Sequence, residues 1–379
     1  MLSRLSRVQR GLAVASFAAF LVSLAFGVPL QAQAPKGPRK TENVLLITFD
    51  GLRWQELFYG ADRRLMNKEQ GGVEVEAPLK AAFDRETPAE RREAVFPWFW
   101  SVVAKEGQVF GDPEHNSAAR VTNTQHFSYP GYNELLSGFG DPRIDSNDKK
   151  PNPNVTVLEF LNRRPGYEGR VGAVTSWDVF PWIINTERSG VPVNAGWTKP
   201  DLAGSEMARL EELAREVPKS FAGVRFDYWT SRIAEEWLKQ KRPKVFYVSF
   251  GETDDWAHAG RYDLVLDSAR RTDEYIRRLW EQIQADPEYA GKTSLVLTTD
   301  HGRGDDRDGW KSHKADVPGS DRIWMAVLGP DTPALGVRSN VDVTQSQVAA
   351  TVAALLGEDF QQANPQAAAP LPGVVRNGK

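Results

Sequence analysis

Five continuous apolar runs limit what this chain can fold into more than any other feature of its sequence. Runs of this length without polar alternation are typical of strands that are buried on both faces. Patterns with helical spacing of the apolar residues lie between them, at 227–239, 264–283 and 345–356. The alternation predicts an α/β fold, a three-layer α/β/α sandwich with a mainly parallel central sheet. The runs occupy residues 43–49, 169–175, 244–250, 294–299 and 322–329.

The same pattern suggests how the chain is divided. We interpret residues 43–357 as one α/β domain that follows a polar linker at 35–42. Within this domain, 54–92 and 181–217 are irregular and rich in Gly, Pro and charged residues, so we expect insertions that form a cap over the sheet edge. Residues 358–379 are rich in Gln, Ala and Pro, and we expect them to be a disordered tail.

Residues 1–34 have the three parts of a secretory signal peptide. Arg4, Arg7 and Arg10 precede an apolar run at 11–30, and an Ala-Gln-Ala sequence follows at 32–34. We expect cleavage there and export to the periplasm or out of the cell. The alternative is an uncleaved anchor, because the apolar run is about long enough to span a bilayer. Only in that case do we expect contact with a membrane.

Composition excludes several classes of function. The 379 residues include no cysteine, which rules out disulfides, acylation of a lipobox cysteine and cysteine nucleophiles. Lys and Arg total 47 against 50 Asp and Glu, so no broad positive field is available for binding nucleic acids. An exported protein without disulfides must be stabilised by its core packing, and a bound metal would add to that stability.

Three of the apolar runs lead directly into acidic residues and histidines. Ligands of open α/β sheets bind beyond the carboxyl ends of the strands, so we expect these side chains to meet at one edge. Asp254 and His258 are four residues apart, which places them on one face of a helix. Three carboxylates and three imidazoles exceed one tetrahedral zinc site and suit two metal ions. The set is Asp50, Asp254, His258, Asp300, His301 and His313.

Four short motifs carry a resemblance to a known family. They are FDG at 49–51, SYPGYNELLSG at 128–138, TDDWAH at 253–258 and TDHGRG…WKSH at 299–313. In order and spacing they are similar to the alkaline phosphatase superfamily, and within it to the nucleotide pyrophosphatase/phosphodiesterase-like branch. The resemblance covers about residues 43–357 without the two insertions. It implies an alkaline phosphatase-like catalytic domain and a metal-dependent phosphoric ester hydrolase.

The resemblance also implies a division of the ligands between two divalent ions. Zinc is favoured by the nitrogen and oxygen donors, and Mn²⁺ is the alternative. The first ion would take Asp254, His258 and His313, and the second would take Asp50, Asp300, His301 and the oxygen of Ser128.

Ser128 is the nucleophile that the resemblance implies. A serine hydroxyl is a weak nucleophile at neutral pH and needs an activator, which a metal can supply. Ser-Tyr-Pro-Gly at 128–131 is also typical of a turn into a helix, and helix N-termini attract phosphate. The expected reaction is a two-step displacement through a phosphoserine, with Thr122 and Thr124 as alternative nucleophiles.

The substrate is expected to be a small phosphate monoester or diester, and its contacts are less well defined. Relatives keep a phosphate-contacting Asn near residues 146–154, where Asn147, Asn152 and Asn154 are all candidates. Arg303 is a further candidate contact. Four tryptophans are candidates for stacking on a base or sugar, with core packing as the alternative. They are Trp98, Trp100, Trp177 and Trp182.

Three alternative functions stay open at the level of the sequence. A sulfatase is disfavoured because its C/S-x-P-x-R motif has an Arg where this chain has Tyr132. A phosphoglycerate mutase-like phosphotransferase is disfavoured by the expected export. A metal-binding surface protein without catalysis is disfavoured by the complete ligand set.

Overall fold

The structure, a computed structural model, describes residues 39–376. The predicted signal peptide at 1–34 and the first half of the linker, residues 35–38, therefore lie outside the described residues. Of the helices within 39–376, none is both long enough and apolar enough to cross a membrane. The strands are β1 (Asn43–Phe49), β2 (Gln108–Phe110), β3 (Ala119–Arg120), β4 (Val171–Thr175), β5 (Val193–Ala195), β6 (Val245–Phe250), β7 (Thr293–Thr299), β8 (Arg322–Ile323), β9 (Met325–Leu328), β10 (Gly336–Val337) and β11 (Val343–Thr344).

The helices differ widely in length, and the longest one packs along the central sheet. The α-helices are α1 (Trp54–Tyr59), α2 (Lys68–Gly71), α3 (Glu76–Phe83), α4 (Pro88–Val95), α5 (Ala104–Glu106), α6 (Ser128–Ser137), α7 (Val157–Asn162), α8 (Phe180–Ile183), α9 (Thr186–Ser189), α10 (Ser205–Glu216), α11 (Asp227–Lys241), α12 (Glu252–His258), α13 (Tyr262–Ala285), α14 (Gln347–Leu355) and α15 (Phe360–Ala363). The remaining helical elements within residues 39–376 are a π-helical turn at Phe99–Val103 and short 3₁₀ turns.

The central sheet is mainly parallel, as predicted. Within residues 39–376, eight strands form it in the order β10-β2-β9-β7-β1-β6-β4-β5. β1 lies near the middle and pairs in parallel with β6 on one side and β7 on the other. The antiparallel pairs are those that β9 makes with β7 and β2. β3, β8 and β11 form a separate small sheet.

Two hydrophobic layers cover the faces of the sheet. Side chains alternate along a strand, so Leu45 and Ile47 of β1 enter one layer while Val44 and Leu46 enter the other. The first layer contains the apolar faces of α11 and α13, and the second contains those of α6 and α14. This arrangement is the predicted three-layer α/β/α sandwich.

The segments 54–92 and 181–217 differ from the irregular cap expected. Residues 54–92 form α1–α4, and their apolar side chains, among them Leu57 and Phe83, belong to the core. Within 181–217, β5 is the edge strand of the central sheet and pairs with β4. A three-residue edge strand needs no long apolar run, which is why its sequence appears irregular. Both segments are integral to the domain.

The C-terminal segment also differs from expectation. Residues 358–376 contain α15, and Phe360, Leu371 and Val374 are buried against the layer formed by α14. The backbone N–H of Leu371 is donated to Thr351 Oγ1 at 2.8 Å. A few apolar residues spaced among Gln, Ala and Pro are enough to hold this segment on the domain, although their spacing follows no helical or strand period.

Candidate metal centre

The register of three adjacent strands brings three carboxylates to one edge of the sheet. The final residues of β6 and β7 lie level with the final residue of β1. Asp50 directly follows β1, Asp300 directly follows β7, and Asp254 lies in the first turn of α12, just after β6. The predicted meeting of acids beyond the carboxyl ends of the strands is therefore observed.

His301 lies at the centre of these acids. Its Nε2 is 3.4 Å from Asp50 Oδ1, 3.5 Å from Asp300 Oδ2 and 3.7 Å from Asp254 Oδ1. Its Nδ1 is 2.9 Å from the carbonyl oxygen of Gly302. A carbonyl only accepts, so Nδ1 carries a proton and the imidazole turns Nε2 toward the carboxylates. That orientation is the one a metal-binding histidine needs.

Two of the carboxylates each have one oxygen bound by the protein and one left free. The Tyr132 hydroxyl donates to Asp50 Oδ2 at 2.9 Å, and the backbone N–H of Gly51 donates to Asp300 Oδ1 at 3.0 Å. Asp50 Oδ1 and Asp300 Oδ2 are buried and have no hydrogen-bond partner. Buried carboxylate oxygens without donors are unfavourable. A cation between these two oxygens and His301 would satisfy them, so the donor set fits a metal ion.

The pKa values of Asp50, Asp300 and His301 are shifted by their burial and by the charges that they place beside one another. Burial, together with repulsion from Asp254, raises the pKa of Asp50. Burial, together with repulsion from Asp50, raises the pKa of Asp300 well above its usual range. Burial alone would lower the pKa of His301, but the charges of Asp300 and the other acids raise it to about 9. The acids thus crowd more negative charge into this site than one imidazolium neutralises, and a divalent cation would compensate that charge.

A second group of ligands adjoins the first. Asp254 Oδ2 is 3.3 Å from His258 Nε2, on the single face of α12 that the four-residue spacing predicts. His313 Nε2 is 2.9 Å from His258 Nε2 and 3.9 Å from Asp254 Oδ1. Burial and the neighbouring charge of His301 lower the pKa of His313 to about 2. His313 is therefore neutral near pH 7, the form in which an imidazole binds metal.

Arg303 lies beside this second group, which corrects its predicted role as a substrate contact. Its side chain is buried and forms a short ion pair with Asp254 Oδ1. It also donates to the backbone oxygen of Asp254 at 3.1 Å. Burial alone would raise the pKa of Asp254, but the charges of Arg303 and His258 hold it well below its usual range. In this structure Arg303 therefore fixes Asp254 in its ionised form.

Two glycines permit this close packing. Gly51 has φ +57°, and a Cβ there would lie 2.5 Å from Asp254 Oδ1 and 3.1 Å from His301 Cε1. Gly131 of α6 lies so close to the end of β7 that a Cβ would come within 2.3 Å of the Asp300 carbonyl oxygen. Any larger residue at either position would displace the ligands or the helix.

Ser128 lies at the start of α6, next to the first group of ligands. It is the first residue of the helix, and its Oγ is 3.5 Å from His301 Nε2. The N-terminus of a helix favours negative charge, which suits a phosphoryl group bound there. Thr122, one of the alternative nucleophiles, instead donates its hydroxyl to Glu134 at 2.8 Å. Thr124 is exposed on the same loop. The structure thus brings Ser128 to the predicted ligands.

Asn147 is the candidate substrate contact that lies beside the site. Its Oδ1 accepts the backbone N–H of Tyr129, the residue after Ser128, at 3.0 Å. It also lines an open cavity of about 570 Å³ that reaches His313. Other walls of this cavity are Phe127, Asp145, Lys314 and Asp316, and none of these residues belongs to the segments expected to form a cap.

Asn152 and Asn154 are placed away from the cavity, which corrects the prediction that Asn152 contacts substrate. Asn152 is fully buried, and its amide donates to Asn133 Oδ1 at 3.2 Å and to the Ile183 carbonyl at 3.1 Å. Asn154 donates to Asn133 Oδ1 at 2.9 Å. These amides hold α6 against the neighbouring loop.

Two of the tryptophan candidates, and the two histidines outside the predicted ligand set, have structural surroundings. Trp98 and Trp100 are part of the core. His115 Nδ1 pairs with Asp112 at 2.8 Å, and His126 Nδ1 lies 2.9 Å from Ser320 Oγ. Within residues 39–376 two groups of side chains lie close enough together to hold a metal ion: Asp50, Asp300 and His301, and Asp254, His301 and His313. His115 and His126 belong to neither group, and His258 is not part of the second one.

Sequence reasoning missed the contact between Tyr132 and Asp50. Tyr132 follows Ser128 by four residues in α6, so both side chains lie on one face of that helix. The i, i+4 spacing could have indicated a second polar group directed at the site. The sequence motif marks Tyr132 only by its difference from the Arg of the sulfatase motif.

The comparison with protein families found one match. The family described as type I phosphodiesterase / nucleotide pyrophosphatase matches residues 79–317, more than half of the chain. This range includes Ser128, Asp254, His258, Asp300, His301 and His313. No curated protein matches the chain.

Solved structures share the fold at low sequence identity. A putative sulfatase from Bacteroides thetaiotaomicron is 12% identical with a TM-score of 0.56, and the alignment covers 92% of this chain and 75% of that one. A phosphonate monoester hydrolase from Silicibacter pomeroyi is 13% identical with a TM-score of 0.55, over 89% and 77%. The lipoteichoic acid synthase LtaP from Listeria monocytogenes is 11% identical with a TM-score of 0.53, over 92% and 78%. At these identities the likeness shows the fold alone.

Proposed function

Because the chain belongs to the type I phosphodiesterase / nucleotide pyrophosphatase family, we propose that it is an exported two-metal hydrolase of phosphate monoesters or diesters. The hydrolysis of phosphate esters rests on the family and on the fold. The number of metal ions, the phosphoserine intermediate and export are the further parts of the proposal.

One observation supports the proposal more than any other. Two buried carboxylate oxygens, Asp50 Oδ1 and Asp300 Oδ2, have no hydrogen-bond donor and face His301 Nε2, which is 3.5 Å from Ser128 Oγ. These three ligands would hold one divalent ion next to the nucleophile. Asp254, His258 and His313 would hold the other. Nitrogen and oxygen donors favour zinc, with Mn²⁺ as the alternative.

The residues of the chain have separate tasks in this reaction. When bound, divalent ions supply positive charge that activates a hydroxyl and stabilises the charge of phosphoryl oxygens. Ser128 Oγ attacks phosphorus, the bond from phosphorus to the leaving oxygen breaks, and hydrolysis of the phosphoserine restores the hydroxyl. Tyr132 and Gly51 fix the orientations of Asp50 and Asp300 through their hydrogen bonds. Positioning and charge provide most of the catalysis in phosphoryl transfer.

Phosphate is favoured over sulfate by the residue at position 132. The sulfatase motif has a cationic Arg there, whereas the Tyr132 hydroxyl is uncharged and donates to Asp50 at 2.9 Å. A catalytic role is favoured over metal binding alone because all six ligands and Ser128 lie around one sheet edge.

The test compares three substrates and two variants. Wild-type protein is expected to hydrolyse p-nitrophenyl phosphate or bis(p-nitrophenyl) phosphate and to leave p-nitrophenyl sulfate largely intact. Ser128→Ala is expected to reduce turnover on the order of 10³-fold or more. The matched control is Ser137→Ala, since Ser137 lies at the other end of α6 and its hydroxyl donates to the Asn133 backbone oxygen. Equal turnover in Ser128→Ala and Ser137→Ala, or faster hydrolysis of the sulfate, would refute the proposal.

Export is tested by the mass of the chain recovered from the cell. The protein from the periplasmic or extracellular fraction is expected to have the mass of residues 35–379. Recovery of the uncleaved chain from the membrane fraction would support the anchor, and recovery from the cytoplasm would exclude export.

A further inference from the structure

A second cavity is lined by residues of α11 and of the segment before it. It has a volume of about 280 Å³. Its walls are mainly apolar and include Trp197, Trp229, Met207 and Leu210. The two indole rings meet edge to face, with centroids 5.4 Å apart. Such walls suit a flat or branched apolar group.

Arg225 is a buried charged residue among the walls of this cavity. Its side chain is 1% exposed. Its Nε donates to Thr230 Oγ1 at 2.8 Å and its Nη1 to Asn194 Oδ1 at 2.5 Å, so the guanidinium is held in one orientation. Its Nη2 is buried and has no hydrogen-bond partner.

The charge of Arg225 has no counterion within residues 39–376. No carboxylate of this part of the chain forms an ion pair with it, and the nearest acidic influence is that of Asp227. Burial lowers the pKa of Arg225 to about 9, which leaves it charged near neutral pH. A buried and unpaired guanidinium is unfavourable, since buried charges in proteins are almost always paired. An anion beside Nη2 would remove that cost.

The rim of the cavity adds positive charge. Arg215 and Lys219 are exposed, line the opening and form no ion pair with any described carboxylate. Lys219 Nζ lies 5.4 Å from the ring centroid of Trp197. Lys199 also lines the opening, but its Nζ forms an ion pair with Glu211 Oε2 at 2.9 Å, which neutralises its charge. The field at the entrance therefore attracts anions.

We propose that this cavity binds a small organic carboxylate with an apolar or aromatic body. The carboxylate would accept from the guanidinium of Arg225, and the body would pack against the rings of Trp197 and Trp229. Arginine suits a planar carboxylate because its N–H groups form a fixed fork. This site is separate from the metal centre, because neither a metal ligand nor Ser128 lines it.

The test is ligand-observed ¹⁹F NMR with 4-fluorobenzoate as the probe and 4-fluorobenzamide as its uncharged counterpart. Wild-type protein is expected to bind the benzoate saturably and the benzamide much more weakly. Arg225→Met is expected to weaken benzoate binding roughly 10- to 100-fold, the loss typical of a hydrogen bond to a charged group. Its folding is checked by its thermal unfolding temperature.

A matched pair of rim variants tests the proposal if Arg225→Met does not fold. Arg215→Gln and Arg209→Gln remove the same charge from exposed positions of α10, but only Arg215 lines the cavity. Arg215→Gln is expected to weaken binding severalfold, and Arg209→Gln to leave it unchanged. Binding should persist after metals are removed with EDTA and in Ser128→Ala. Absence of saturable binding, equal affinity in both rim variants, or loss of binding with EDTA would overturn the proposal and leave the proposed hydrolase unaffected.

Discussion

Tyr132→Phe removes one hydroxyl from the proposed active site and leaves the rest of the side chain unchanged. The hydroxyl is buried and donates to Asp50 Oδ2 at 2.9 Å, and it lies 3.2 Å from Ser249 Oγ. A hydrogen bond to a charged group contributes about 1.5–3 kcal/mol. Loss of such a partner of a metal ligand typically lowers metal affinity or activity about 10–100-fold. We therefore expect kcat/KM for the better phosphate ester to fall about 10–100-fold, together with a weaker metal affinity.

Tyr247→Phe is the matched control for this prediction. Tyr247 is also a fully buried tyrosine, but its hydroxyl bonds to Thr48 Oγ1 at 2.9 Å and not to a predicted ligand. We expect it to lower thermal stability without changing metal affinity. The assay is hydrolysis at a series of buffered metal concentrations for both variants. If Tyr132→Phe kept wild-type metal affinity, or if both variants lost activity equally, the role given to Tyr132 would be wrong.

Three further predictions concern the ligands, the backbone and pH. Asp300→Asn and His313→Ala are each expected to lower metal content from two ions per chain to about one, by elemental analysis; two ions and full activity in either would refute the ligand division. Gly51→Ala is expected to lose both metal and activity, because its Cβ would lie 2.5 Å from Asp254 Oδ1; wild-type metal content would contradict this. Burial raises the pKa of Asp273 from 3.8 to about 7, so the folded protein binds the proton of this carboxyl more tightly than the unfolded chain does. The stability that the bound proton contributes is complete below about pH 4 and is lost as the pH rises to 7. Unfolding temperatures from about pH 4 to 8 should fall less steeply in Asp273→Asn than in wild type, and parallel curves would exclude this.

Most of the sheet could be predicted from the sequence because its central strands are buried on both faces. The run 43–49 coincides with β1, and the runs leading to β4, β6 and β7 differ from those strands by at most two residues. Run 322–329 is divided at Trp324 into β8 and β9, which belong to different sheets. The division could not be predicted, since it depends on which neighbours each half pairs with.

Edge and surface elements were harder to predict. β5 has three residues and only one strand neighbour, so it needs little apolar character. Residues 358–376 are held by a few buried side chains at irregular spacing. Helices α1–α3 are short, and their contacts with the core, not their own patterns, determine that they form.

In the candidate site, too, the features set by the local sequence could be predicted, and those set by tertiary packing could not. The predicted ligands meet because Asp50, Asp300 and His301 directly follow strands whose ends the sequence indicates, and Asp254 lies in the helix just after a third strand. The partners of those ligands, Tyr132 and Arg303, could not be assigned, because their contacts arise from the packing of separate segments. Tertiary packing also explains the wrong prediction for Asn152. Its position in the sequence suited a substrate contact, but packing buries its side chain.

Elemental analysis of the wild-type protein, purified without chelators and shown to hydrolyse a phosphate ester, determines whether this sheet edge holds two divalent ions. The proposed arrangement predicts two ions per chain, with zinc as the main element. Active protein that contains no stoichiometric metal, and that keeps its activity in EDTA, would contradict it.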